Sequence, residues 1–135
     1  MFFLLQKLSK ELNVEQNVYF TEVSDEEKLQ GLNASEIFIF PSEWEAFGIV
    51  LLEAMSQKNA IISTTTEGGS FLITKDNGFL YKYQDINDLK ERLETLLSNK
   101  KLREQMQETN YKKAKEFTWE KIAKDLEQLY KELNQ

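Results

Sequence analysis

The sequence predicts an α/β fold: a parallel, doubly wound sheet of about four strands, flanked by helices and followed by a helical tail. Three observations predict it. Short apolar blocks rich in β-branched and aromatic residues recur along the chain, at Val18-Tyr19-Phe20-Thr21, Ile37-Phe38-Ile39-Phe40, Ala60-Ile61-Ile62-Ser63 and Phe79-Leu80-Tyr81. Segments with helical spacing alternate with them, the order that gives right-handed crossovers between parallel strands. From Asp85 onward the strand-like blocks stop and leucines at helical spacing take over.

Phe3, Leu4, Leu8 and Leu12 recur at helical spacing, so residues 2 to 12 read as an amphipathic helix. Residues 18 to 21 read as a strand, and Ser24-Asp25-Glu26-Glu27 fits a capping box that opens a helix running to about Asn33. Glu36 to Phe40 is the next strand, ended by Pro41, the only proline in the chain. A helix follows over 48 to 58. It is apolar on nearly every side from Ile49 to Met55, as suits a helix packed against a sheet and covered on its outer face. A strand at 60 to 63, a Gly68-Gly69 loop with a short helix, a turn at Asn77-Gly78 and a strand at 79 to 81 complete the alternation. In the tail, Leu89, Leu93, Leu96 and Leu97 stripe one helix, Ser98-Asn99 breaks it, and Leu102, Met106 and Tyr111 mark another. Ile122, Leu126, Leu129 and Leu133, with Tyr130, stripe a last helix that Thr118 is placed to cap. These stripes read as core packing.

The chain has 135 residues, enough for one domain with a respectable core. It contains no cysteine and no histidine, which excludes disulfides, thiol chemistry, histidine-based metal sites and histidine triads. No metal ligand set is expected, and any catalysis rests on carboxylates and backbone. A net charge of -6, with the acid excess early in the chain, argues against a nucleic-acid partner or an anionic-membrane face. Met1-Phe2-Phe3-Leu4-Leu5 is too short for a signal sequence and Lys7 follows it rather than preceding it. No apolar run approaches the length of a transmembrane segment. A cytoplasmic protein is the expectation.

The stretch from Pro41 to Met55 carries the chemistry. Glu53 stands among Ile49, Val50, Leu51, Leu52, Ala54 and Met55, where a carboxylate is costly to bury unless the helix has a wet edge or a dedicated partner binds it. The same helix starts near Phe47 and Gly48, where the first backbone N–H groups lack intrahelical acceptors and the dipole end is positive. That geometry invites an anion, and a glycine there lets a ligand approach the backbone closely. In a doubly wound sheet ligands bind beyond the carboxyl ends of the strands, and the loops Pro41 to Gly48 and Thr64 to Gly69 both lie there.

Glu45 and Glu53, with seven residues between them, resemble the E-x7-E motif of retaining GT-B glycosyltransferases, the group 1 or GT4-like family. The likeness continues in order. Ala60-Ile61-Ile62-Ser63 is similar to the following family strand, Glu67-Gly68-Gly69 to its Gly-Gly loop, Asn77-Gly78-Phe79-Leu80 to its N-G-F-L turn and strand, and Phe117-Thr118-Trp119 to its aromatic-x-Trp entry to the last helix. Five ordered matches over roughly residues 17 to 130 are far more specific than E-x7-E alone.

The resemblance implies a Rossmann-like sheet, half of a GT-B fold, with residues 1–135 as a single partial domain and 85–135 as its helical tail. It implies the C-terminal, nucleotide-sugar-binding domain, N-terminally truncated, lacking its first strands and the acceptor domain. The family reaction is transfer of a sugar from a nucleotide-sugar to an acceptor hydroxyl with retained configuration, in glycan, polysaccharide or glycolipid biosynthesis. Glu45 would contact the donor sugar hydroxyls, the backbone of Phe47, Gly48, Ile49 and Val50 would meet the sugar and diphosphate, and Glu53 would accept hydrogen bonds from the ribose. Gly68 and Gly69 would leave room for the donor. Read without the family, Glu45 is a surface acid beside Trp44, Gly48 an ordinary helix start and Gly68-Gly69 a plain turn.

A UDP-, GDP- or ADP-sugar is then the substrate, with no further cofactor, and an acceptor glycan or lipid is reached through the N-terminal domain. The full-length enzyme would be cytoplasmic, with a peripheral place at the inner face of the membrane open to it. Leu72 departs from the family, where many members carry a glutamate after Gly-Gly. The isolated chain is expected to be inactive in transfer, and exposed strand edges or the last helix give a route to self-association. Two other readings are a non-catalytic interaction module derived from this domain and a nucleotide-sugar 2-epimerase-like fragment.

Overall fold

A computed structural model describes residues 2–133, so Met1, Asn134 and Gln135 lie outside the described residues. The element order is α1 (Phe2–Glu11), a short 3-10 turn (Glu15–Asn17), α2 (Asp25–Ala34), β1 (Ile37–Phe40), α3 (Ile49–Ser56), β2 (Ala60–Thr64), α4 (Glu67–Leu72), β3 (Gly78–Tyr81), α5 (Ile86–Ser98), α6 (Lys100–Ala114) and α7 (Trp119–Leu133). The three strands form one parallel sheet in the order β1-β2-β3, with Phe38 opposite Ile61 and Ile62 opposite Phe79.

Because side chains alternate along a strand, each strand feeds two cores. On one face Phe38, Phe40, Ile61 and Leu80 pack with Leu32 of α2, Leu51, Ala54 and Met55 of α3, and Leu72. On the other, Ile37, Ile39, Ala60, Ile62, Phe79 and Tyr81 pack with Leu89, Leu93 and Leu96 of α5 and Leu102 and Met106 of α6. Helices on both faces leave the central strand β2 buried at every position, its polar Ser63 and Thr64 included. Burial also pushes the Tyr81 phenol above its ordinary value.

Helix boundaries follow local chemistry. Ser24 caps α2: its side chain accepts from the Glu27 amide while the Glu27 carboxylate accepts from the Ser24 amide, the expected capping box. Those bonds hold the Glu27 carboxyl below its ordinary value. Asp85 caps α5, Asn99 ends α5 and caps α6, and the Thr118 hydroxyl accepts from the Lys121 amide at the start of α7.

Two expectations need correction. Among the described residues the sheet has three strands rather than about four, since Val18 to Thr21 lies outside the ladder. Strand propensity gives extension, but a ladder needs a neighbour in register. Here Phe20 packs edge-on against Phe2 of α1 at 5.5 Å, while Tyr19 is 89% exposed. The last leucine stripe, in turn, is not core: no described residue of α7 is buried, and Ile122, Leu126, Leu129 and Leu133 are all exposed. The helix is amphipathic, but its apolar face is exposed. Among the described residues no helix is long and apolar enough to cross a membrane.

Candidate donor site at the strand ends

The parallel strands deliver the two predicted loops to the same end of the sheet, where they bound an open cavity of about 540 Å³. After β1 comes Pro41–Gly48, contributing Glu43, Trp44, Glu45 and Ala46; after β2 come Thr65, Thr66 and Glu67. Trp44 is 86% exposed. The threonines build the second loop. The Thr64 hydroxyl donates to the Ser42 carbonyl at 2.5 Å, tying the end of β2 to the loop after β1. Thr65 donates through its amide and hydroxyl to the Tyr81 carbonyl, and Thr66 caps α4 by accepting from the Gly69 amide at 3.1 Å. These threonines were missed as site builders. The signal was Thr66 three positions before Gly69, the spacing of a capping hydroxyl and the amide it caps.

Glu45 folds back on its own loop. Its Oε1 accepts from the Phe47 amide at 3.2 Å and the Gly48 amide at 2.9 Å, which satisfies two donors at the approach to α3 and fixes the carboxylate of this cavity-lining residue. Gly48 is the residue before the helix and has φ 86°, a left-handed conformation that a side chain disfavours. A Cβ there would also stand 2.9 Å from Leu51 Cδ1. Ile49 and Val50 supply the next backbone N–H groups of the first turn; Ile49 is exposed and Val50 half-buried.

Glu53 lies one turn beyond Ile49 on the same face of α3, since residues four apart stack along a helix. The choice between wet edge and dedicated partner resolves toward the partner: Lys28 of α2 places its Nζ 3.0 Å from Glu53 Oε1 and 3.0 Å from Asp25 Oδ1. The Lys28 ammonium is held above its ordinary value, first by the bond to Glu53 and then by the bond to Asp25. Lys28 is absent from the predicted site, because nothing in the capping-box stretch marks the residue that follows it as facing α3.

Gly68 and Gly69 are both buried, inside the short α4. The space beside them is occupied by protein. A Cβ on Gly68 would stand 2.5 Å from the Phe47 carbonyl oxygen, and one on Gly69 would stand 2.5 Å from the Thr64 carbonyl oxygen. The Gly68 amide donates to the Glu45 carbonyl at 2.9 Å. Gly68 therefore lets the two loops touch backbone to backbone, while Gly69 lets α4 begin close against the end of β2. Phe47 also packs with Phe71 of α4 and with Phe117 at 6.0 and 6.3 Å, so the aromatic of Phe117-Thr118-Trp119 buttresses the loop that carries Glu45. Leu72 is fully buried in the core, so it faces the sheet rather than the cavity.

Comparison with known proteins bears on the family and the fold. The family model for glycosyl transferases group 1 matches residues 1–113. An uncharacterized glycosyltransferase of Methanocaldococcus jannaschii is 35% identical over 97 residues, covering 71% of this chain and 28% of the relative. A D-inositol 3-phosphate glycosyltransferase of Corynebacterium jeikeium is 33% identical over 131 residues, covering 96% and 31%. The chain thus spans less than a third of the length of these relatives. Among solved structures, sucrose-phosphate synthase from Thermosynechococcus elongatus superposes with a TM-score of 0.86 at 29% identity, over 96% of this chain and 33% of that one. The C-terminal domain of a group 1 glycosyl transferase from Francisella tularensis superposes with a TM-score of 0.73 at 26% identity, over 84% and 60%. Sequence, sheet topology and structural likeness converge, and the chain belongs to the group 1 glycosyl transferase family, with the Rossmann-like architecture of half a GT-B fold.

Proposed function

We propose that this chain is the donor-binding part of a retaining glycosyltransferase and that the cavity between the loops after β1 and β2 takes a nucleotide-sugar. The observation that carries the reading is the placement of Glu45: one carboxylate oxygen of this cavity-lining residue is held by the Phe47 and Gly48 amides, leaving Oε2 for a sugar hydroxyl. The diphosphate then sits on the first-turn amides of Ile49 and Val50, where the helix dipole offsets part of the charge that develops on the leaving group. Glu53, one turn further, accepts from the ribose hydroxyls. Gly68 acts by holding the two loops together, and Gly69 by letting α4 start against the end of β2. In this reading the acceptor, a glycan or lipid, is presented by a second domain, and the protein works in the cytoplasm or at the inner face of a membrane.

Calorimetric titration with UDP-glucose, GDP-mannose and ADP-glucose tests it. At least one should bind saturably, and Glu45→Ala and Glu53→Ala should each weaken that binding roughly tenfold or more, the order expected when a buried charged hydrogen bond is removed. A folded protein that binds none of the three would favour an interaction module instead. The exposed apolar faces of α1 and α7 are consistent with contacts to a second domain or a second copy, which sedimentation of the isolated chain would reveal as a concentration-dependent mass.

A further inference from the structure

Lys28 sits on α2, outside the E-x7-E stretch and outside both cavity loops, yet its ammonium reaches across to α3. Among the described residues it is the donor to the Glu53 side chain, and it approaches Oε1 alone at 3.0 Å. Glu53 needs such a donor. Its neighbours on α3, Leu52, Ala54 and Met55, all pack in the core, and its own side chain is 28% exposed. A carboxylate in that setting has given up part of its water and needs a hydrogen-bond donor in its place, and a fixed donor also selects its rotamer. Lys28 is itself fixed, because Asp25 in the first turn of α2 binds the same Nζ at 3.0 Å and the Ser24 capping box anchors that turn. A chain of contacts thus runs from the cap of α2 through Asp25 and Lys28 to Glu53.

We propose that Lys28 is a positioning residue for donor recognition: by occupying Oε1 of Glu53 it fixes the carboxylate and turns Oε2 toward the ribose of the bound nucleotide. This rests on the donor-binding reading given above. Lys28 does not touch the donor; it acts through Glu53. Its contribution is therefore confined to ligands that carry ribose hydroxyls and vanishes when Glu53 is absent.

The test is a binding cycle with the full chain, using whichever of UDP-glucose, GDP-mannose and ADP-glucose binds most tightly, together with its 2′,3′-dideoxyribose counterpart. Lys28→Met should weaken binding of the ribose form roughly five- to tenfold, the order of one charge-assisted hydrogen bond. Lys28→Arg should recover most of that loss. The dideoxy form should bind the wild type and Lys28→Met alike, and adding Lys28→Met to Glu53→Ala should cost nothing further. A uniform loss for both ligands, or a loss that persists in the Glu53→Ala background, would mean that Lys28 merely supports the fold and would overturn the proposal. Unchanged binding by Lys28→Met, with Glu53→Ala still impaired, would overturn it and leave the donor site standing. Wild-type protein that binds none of the three ligands would remove the donor site and this proposal together.

Discussion

Gly68 and Phe47 meet backbone to backbone: the α-carbon of Gly68 is so close to the loop after β1 that a Cβ would lie 2.5 Å from both the carbonyl carbon and the carbonyl oxygen of Phe47. Neither atom can yield as a flexible side-chain tip would. Gly68→Ala should therefore push apart the loops that bound the cavity and lower stability by about 1–3 kcal/mol, as overpacking does. The drop in urea midpoint, at unchanged m-value, checks it.

A second constraint lies at the other end of the sheet, where Asn110 of α6 is fully buried and donates to the Asn59 and Asn77 carbonyls, both at 2.8 Å. One amide group thereby joins the segment before β2 to the turn before β3. Asn110→Ala would leave two buried carbonyls without donors, and the expected loss is about 2–4 kcal/mol, read from denaturant unfolding. Among the described residues, the buried Oδ1 atoms of Asn59 and Asn110 have no hydrogen-bond donor.

These two contacts show where sequence reasoning stops. Alternation of apolar blocks with helical stripes was legible for β1, β2 and β3 because each is short, β-branched or aromatic and closed by Pro41, a threonine run or a charged turn. The capping boxes and caps at Ser24 and Thr118 were legible because they are local. The Asn110 bridge and the Lys28–Glu53 pair were not, since each joins residues far apart in the chain and depends on how helices settle on the sheet. Val18 to Thr21 misled for the same reason: propensity is local, pairing is not. Of the candidate site, the two loops meet at the strand ends where the doubly wound pattern puts them, but the use of Gly68 for loop contact emerges only from the backbone.

The apolar stripe of α7 offers a contrast with that of α6. Leu129→Gln and Leu133→Gln, at positions 49% and 72% exposed, should each change stability by no more than about 0.5 kcal/mol. Met106→Ala, at a position 1% exposed, should cost about 2–5 kcal/mol. Equal losses in thermal or urea unfolding would mean that α7 packs as core after all.

The ion pair between Lys58 and Glu108, 2.6 Å apart, sets a pH dependence with a definite sign. The hydrogen bond from Lys58 holds the Glu108 carboxyl below its ordinary 4.5, helped by the nearby charges of Lys58, Lys112 and Lys115. The same hydrogen bond holds Lys58 above its ordinary 10.5. Stability from a depressed carboxyl is complete above its unfolded value and fades as pH falls through the folded one. Stability from a raised ammonium is complete below its unfolded value and fades as pH rises through the folded one. Glu108→Gln should thus be less stable than wild type near neutrality, and the gap between their urea midpoints should close on strong acidification. A gap that stays constant into acid would contradict the assignment.

The account turns on a sugar diphosphate lodging where α3 begins, and backbone amide chemical shifts during titration with UDP-glucose, GDP-mannose or ADP-glucose read that directly. The predicted result is that the largest perturbations with at least one of them fall on Gly48, Ile49, Val50, Thr65 and Gly68. Perturbations confined to α1, α7 or the far end of the sheet, or none with any of the three, would contradict it.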